Sequence, residues 1–429
     1  MGEAASTHSK GRLLLVGLVL VVCAAGIAAV LVFSSHNQKP VDTSMGLGPC
    51  ALRQPDPKQL TSCISKATTR LLAENPKPDS VIPKLDAQIT RRGPDWAGPC
   101  HNAMHLTGSK FAKANNVSLI NLQQYLPLSD SNNCSAGFAH GMISVLGLNR
   151  EKAQFMMEQV CAKASSRSIK FACIHGIGHG LRRTIGSPSI ALKGCAALRG
   201  YAISDCAQGI YHDYFMAAPS SPDAGKKPLG TKAVDIKDLG GRNEARTESS
   251  KLDQFCLNQP KRFLRECWYR LIAGPGIPVP VGNARDIEFA CGGLSEPQHG
   301  ACITGLATAR FTPEDIAKVC RDLQTTSIKD SVSCISGVDL LSVGWSAPVK
   351  GPTRYHDEDM PGIIAQCLIM KEGKPQSACI KTMSLFSLRT IPDQATQAKA
   401  LSVCRKLKGK PLGQCKSTLL EALAVTQEA

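Results

Sequence analysis

Apolar and polar residues follow one another along this chain at helical spacing, and runs of alternating β-branched residues do not occur. The segment Asn149–Cys161 puts Ala153, Met156, Met157 and Val160 on one face between polar neighbours, which predicts a helix. Ser187-Pro188 opens another. At Thr312-Pro-Glu-Asp-Ile-Ala-Lys-Val-Cys320, a capping threonine, a first-turn proline and two early acids again predict a helix start. A break follows near Thr325–Ser327, and a further apolar helical stretch is expected from Cys334. The pattern predicts an all-α protein.

One stretch departs from the amphipathic pattern. Leu13–Phe33 is an uncharged run of 21 apolar or small residues, long enough for a membrane-spanning helix of about 20 residues. Lys10 and Arg12 precede it, so residues 1–12 are expected in the cytoplasm, with the rest exported from a single-pass anchor in the cell membrane. A cleaved signal peptide would have a shorter apolar core of about 7–15 residues. Val22 is too bulky for Cys23 to mark a lipoprotein cleavage site. Beyond a linker at 34–46, the expected organisation is an N-terminal helical array over 47–216 and a C-terminal one over 253–421. A polar, charged insertion at 217–252 separates them, and a tail at 422–429 ends the chain.

The cysteines give this pattern a ruler. Apart from Cys23 they fall into nine couples: Cys50 with Cys63, Cys100 with Cys134, Cys161 with Cys173, Cys195 with Cys206, Cys256 with Cys267, Cys291 with Cys302, Cys320 with Cys334, Cys367 with Cys379, and Cys404 with Cys415. All but the couple Cys100 and Cys134 are 11 to 14 residues apart. An even count in an exported chain implies disulfides, and recurring spacing implies a repeat. Each couple reads as a helix, a turn and a second helix, with the first cysteine late in one helix and the second early in the next. A bridge there staples the hairpin near its turn, where alpha carbons come within about 4.4–6.8 Å. In this architecture the chain resembles disulfide-bridged αα-hairpin repeats of the Sel1-like and tetratricopeptide type, although the Trp, Tyr and Ala signature positions of those repeats are absent. The resemblance implies a stacked, solenoid-like scaffold and no particular activity.

Set against this ruler, two residue types recur in register. Glycine stands three residues after the second cysteine at Gly137, Gly176, Gly209, Gly305 and Gly337. Glycine is costly inside a helix, so a shared position predicts close approach of neighbouring backbones. Histidine stands six residues after the cysteine at His140, His179 and His212, but Ala273, Thr308, Leu340 and Leu385 replace it in the C-terminal units. His101 with His105, and His175 with His179, add two i, i+4 pairs, each on one helix face. Asp213 adjoins the last histidine.

Imidazole suits zinc, copper, nickel and iron, and also haem iron, whereas oxidised cysteines offer no thiolate. The cluster His101, His105, His140, His175, His179, His212 and Asp213 is therefore a candidate site for a transition metal (zinc, copper or iron) or haem, lining a groove of the N-terminal array. A ladder of structural histidines and an acid/base centre are the competing readings. About 8–10 Å between equivalent helices of a solenoid argues against His140, His179 and His212 meeting at one ion.

Catalytic motifs are scarce: the His-x-x-x-His pairs lack the internal glutamate of zinc proteases, and no nucleophile elbow, phosphate loop or Cys-x-x-Cys pair occurs. Composition adds a partner class. The formal charge is +16 with only 5% aromatic residues, which favours an anionic envelope polymer or an acidic protein partner. No basic run interleaved with aromatics suggests nucleic acid. The chain reads as a membrane-anchored binding or scaffold protein, with a metal-dependent enzyme and an envelope adhesion module as alternatives.

Overall fold

The computed structural model describes residues 47–51, 56–129, 134–165, 167–200, 202–215, 255–273, 283–340, 359–390 and 397–427. Among these, every regular element is an α-helix or a short 3-10 turn. Two compact units meet in sequence at Gln54/Pro55. The first has one described helical turn, Gly48–Ala51. The predicted cytoplasmic segment, membrane helix and linker at 1–46 lie outside the described residues, as does the insertion at 217–252. Among the described residues no helix is long and apolar enough to cross a membrane.

The second unit begins with α1 (Pro57–Glu74), α2 (Pro78–Arg92), α3 (Pro94–Ala114), α4 (Cys134–Ile143), α5 (Arg150–Gln159), α6 (Arg167–Ile185), α7 (Pro188–Cys195) and α8 (Ala202–Phe215). It continues with α9 (Leu264–Ala273), α10 (Ala284–Cys291), α11 (Gln298–Arg310), α12 (Pro313–Leu323) and α13 (Ile328–Ile335). Last come α14 (Met360–Ala365), α15 (Lys374–Thr390), α16 (Gln397–Ser402) and α17 (Gly409–Gln427). Helix α17 thus runs through most of the expected tail.

Short polar side chains start many of these helices by accepting orphan amides. Asp56 accepts from the Lys58 and Gln59 amides at 2.7 and 3.0 Å, Asn149 from Lys152 at 2.9 Å, and Thr312 from Asp315 at 3.2 Å. Asn283 and Asp286 form a reciprocal capping box on α10.

The disulfides pair neighbouring cysteines as expected. Eight bridges have alpha-carbon separations of 5.2–6.0 Å. Cys173 is bridged to Cys161, Cys302 to Cys291 and Cys379 to Cys367. Cys206, Cys267, Cys334 and Cys415 are bridged to Cys195, Cys256, Cys320 and Cys404. Starting from α3, the helices carrying second cysteines pack serially into a column, α3–α4–α6–α8–α9–α11–α13–α15–α17. From Cys161 onward, the first cysteines ride on elements beside it.

Three details correct the expected hairpins. Cys173, Cys302 and Cys379 are not at the starts of α6, α11 and α15 but more than one turn inside them. Each is fully or almost fully buried, at 0–3% exposure, so the staple grips the flank of a column helix and not its end. The helices begin upstream of these cysteines because the shorter elements lie alongside the column. Cys334 is the last residue but one of its helix, because Ser327 caps α13 well upstream by accepting from the Asp330 amide. Finally, Cys100–Cys134 joins two successive column helices, α3 and α4, across 3-10 turns at Leu122–Gln124 and Leu126–Ser129. That connection accounts for its longer spacing.

Candidate metal centre

Four successive column helices supply the imidazoles: His101 and His105 from α3, His140 from α4, His175 and His179 from α6, and His212 from α8. Backbone approach brings them together. A Cβ on Gly137 would strike the carbonyl oxygen of His101, and one on Gly209 would strike that of His175. Gly141 lies in the same way against the His105 carbonyl, and Gly178 against that of Cys206. Helices α3 and α4, and likewise α6 and α8, thus touch backbone to backbone beside the histidines. Gly176, Gly305 and Gly337 also face close neighbours, so every glycine of the predicted register marks a close approach.

Two polar devices fix the orientation of the four helices. Buried Asp86 on α2 accepts from the Cys134 amide at 2.9 Å and caps α4. A belt of hydrogen bonds then crosses the bundle. Ser109 of α3 donates to the Gly141 carbonyl at 3.0 Å and lies 3.3 Å from Ser144. Arg183 of α6 donates to Ser144 through Nη1 at 2.8 Å and to Asp213 of α8 through Nε at 2.8 Å.

All six histidines converge. Ring centroids of neighbouring pairs lie 4.6–5.8 Å apart. The contact of His101 with His212 shows that α3 and α8 face the same space although two helices separate them in the column. The column is curled here, yet none of the ligand triads unites His140, His179 and His212, as expected from helix spacing. The convergence corrects the expected groove, because the six side chains are only 0–7% exposed. Three triads hold their ligand nitrogens within 4.8 Å of one another: His101/His105/His212, His105/His140/His179 and His175/His179/His212. Each pair of triads shares one histidine.

Hydrogen bonding in the cluster differs from that of His299. His299, outside the cluster, donates from Nδ1 to the Cys291 carbonyl at 3.0 Å and has Asp330 3.1 Å from Nε2. Within the cluster, His105 Nδ1 and His179 Nε2 are buried without a hydrogen-bond partner. Each such group costs about 1–3 kcal/mol. His101 and His105 meet Nε2 to Nε2 at 3.1 Å, and His175 Nε2 meets His212 Nδ1 at 3.1 Å. Asp213 lies 3.3 Å from His179 Nδ1. A carboxylate only accepts, so Nδ1 carries the proton and Nε2 keeps its lone pair.

Burial holds His105, His140, His175 and His212 well below the usual imidazole pKa of 6.5, and the charges of neighbouring histidines add to this. For His140 a hydrogen bond with the Ala172 backbone opposes the shift. His179 is lowered too, since burial outweighs the help of Asp213. Burial alone would raise the Asp213 carboxyl, but the bond from His179 and the charge of Arg183 bring it below its ordinary value. The centre therefore combines neutral imidazoles with one ionised carboxylate.

Arg270 of α9 is a participant the sequence reading did not include. It is buried, donates to Gln208 at 3.1 Å, and its charge acts on His140, His175, His179 and His212. A signal lay in the register. From Cys134 to Cys334 each second cysteine is followed three residues later by glycine, except that Cys267 is followed by Arg270. Arg183 also carried a signal, standing four residues after His179 on the same helix face.

The donor set fits a metal ion. An ion about 2.0–2.1 Å from each nitrogen holds its donors within about 4 Å of one another, so the triads need only a small tightening. Haem does not fit, because imidazoles packed ring against ring leave no slot for a porphyrin. No family model, curated protein or solved structure matches the chain.

Proposed function

We propose that this protein is an exported, membrane-anchored helical scaffold that holds a transition-metal ion (zinc, copper or iron) in the histidine core of its N-terminal array. The observation that carries this reading is the His179–Asp213 pair. It resembles the carboxylate–histidine–metal arrangement in which an outer carboxylate fixes the tautomer and raises ligand basicity. Unpartnered nitrogens on His105 and His179 support the same reading, since a purely structural ladder would have bonded them. The burial of the rings favours holding an ion over turning over a substrate, which would need room beside the metal. Disulfide linkage supports an oxidising compartment, and the apolar run at 13–33 supports the anchor. The basic surface then faces anionic envelope polymer or an acidic protein.

Because no two triads are independent, a second ion would have to share an imidazole, and one tightly held ion per chain is expected. Metal analysis of protein purified under oxidising conditions tests this, together with His140→Ala and His179→Ala variants, which should lose the ion. A metal-free protein whose melting temperature ignores added Zn²⁺, Cu⁺ and Fe²⁺ would overturn the reading.

A further inference from the structure

We infer that the ion this centre is built to hold is monovalent copper. The inference rests on the metal-binding reading above and specifies its ligand, from charge and from coordination number. Every ligand in the three triads is a histidine, with no carboxylate or thiolate among them. The cysteines bordering them are oxidised. Among the described residues, the carboxylate in contact with the cluster, Asp213, is already engaged by Arg183 at 2.8 Å, and buried Arg270, which also feels Asp205, adds a second positive charge. An ion entering this core keeps nearly its whole charge in a medium of low polarity. The cost of that burial grows with the square of the charge, so a divalent ion is penalised about four times as heavily as a monovalent one.

Coordination number points the same way. Among the described residues, histidine nitrogens gather in threes and not in fours. Zinc in structural sites takes four ligands, and in catalytic sites it completes three protein ligands with water. Here the neighbours of the triads are the remaining imidazoles, Phe171 and Asp213, whose carboxylate is already held by His179 and Arg183. Monovalent copper has a filled d shell and is satisfied by two or three nitrogen donors. Shared corners at His105, His179 and His212 also let such an ion shift between triads by exchanging two ligands while keeping the third.

The test uses the full-length oxidised chain, stripped of metal and handled without oxygen. Cu⁺ is offered from its coloured bicinchoninate complex, Ag⁺ serves as a redox-inert monovalent surrogate, and Zn²⁺ is offered from a competing chelator. The expected result is withdrawal of one Cu⁺ per chain, displacement of that ion by Ag⁺, and affinity for Cu⁺ at least about tenfold above that for Zn²⁺. His140→Ala should weaken Cu⁺ binding, with the melting curve of the metal-free variant reporting whether it has folded. Asp213→Asn provides a second variant that keeps all six imidazoles. Zn²⁺ or Cu²⁺ held as tightly as Cu⁺ would overturn the monovalent assignment and leave metal binding intact. Failure of every ion to bind would overturn both.

Discussion

Asp213 determines which nitrogen of His179 faces the other rings, through a contact of 3.3 Å. Replacing it with asparagine removes the charge that fixes the tautomer, so metal affinity should fall about 10–100-fold with helix content unchanged; chelator competition measures this. The same imidazoles make the metal-free protein sensitive to acid. The folded-state pKa values of His105, His140, His175 and His212 lie well below 6.5, so just below pH 6.5 the unfolded chain binds more protons than the folded one. Stability is then fully present above pH 6.5 and falls as the pH drops toward the folded-state values, by up to about 1.4 kcal/mol per pH unit for each histidine. Urea midpoints of the metal-free chain on either side of pH 6.5 check the sign, and equal midpoints would contradict it. His299 behaves oppositely. Its bonds to Cys291 and Asp330 outweigh burial and raise its pKa, so its contribution is present below pH 6.5 and lost as the pH rises through the raised value. The register position that holds histidine in α4, α6 and α8 holds Thr308 in α11, whose hydroxyl reaches the Gly337 carbonyl at 2.8 Å. That substitution was visible in the sequence. The choice between Nδ1 and Nε2 was not, since it depends on a side chain from another helix.

At the scale of elements, glycine at the crossing points sets how deeply the helices interlock. Gly137 and Gly209 face carbonyl oxygens of histidine residues, whereas Gly305 faces the backbone of Trp268 and Tyr269. Alanine at any of the three forces neighbouring helices apart and should cost about 1–3 kcal/mol. The outcomes should diverge in metal binding: Gly137→Ala and Gly209→Ala lower both the melting temperature and the affinity, while Gly305→Ala lowers only the melting temperature. Differential scanning calorimetry with and without metal separates the two effects. These contacts were partly legible, because five glycines share one register. Gly108, Gly141 and Gly178 lie off that register, and their equally close approaches show only once the helices are packed. Helix identity and disulfide pairing were legible for a different reason: both are local, set by periodicity, caps and bridges over a dozen residues. The depth of Cys173, Cys302 and Cys379 within their helices was not, because it depends on where the flanking elements dock.

Across the whole molecule, the feature hidden from the sequence is the curl that brings α3 opposite α8. Its cause is long-range: the Cys100–Cys134 bridge, the Asp86 cap and the belt from Ser109 to Asp213 join segments far apart in the chain. Closing a loop of this kind contributes about 3–4 kcal/mol in the chain-entropy model. Replacing Cys100 and Cys134 together by serine should therefore lower the melting temperature and also weaken metal binding, since α3 loses its tie to α4. The same double replacement at Cys404 and Cys415 should lower the melting temperature alone. Paired melting and metal titrations compare them, and equal loss of metal in both would disprove the role given to the first bridge. The Cys100–Cys134 bridge has one more consequence. Each helix of the centre carries a bridged cysteine (Cys100, Cys134, Cys173 or Cys206) and reaches its first imidazole one to six residues later, at His101, His140, His175 and His212. If the centre takes a metal as proposed, oxidant would have to act first. A chain still among reductants offers thiols to any soft ion, whereas the same chain once oxidised offers nitrogen alone. Which ion such a chain held would then depend on the order in which two reagents reach the protein.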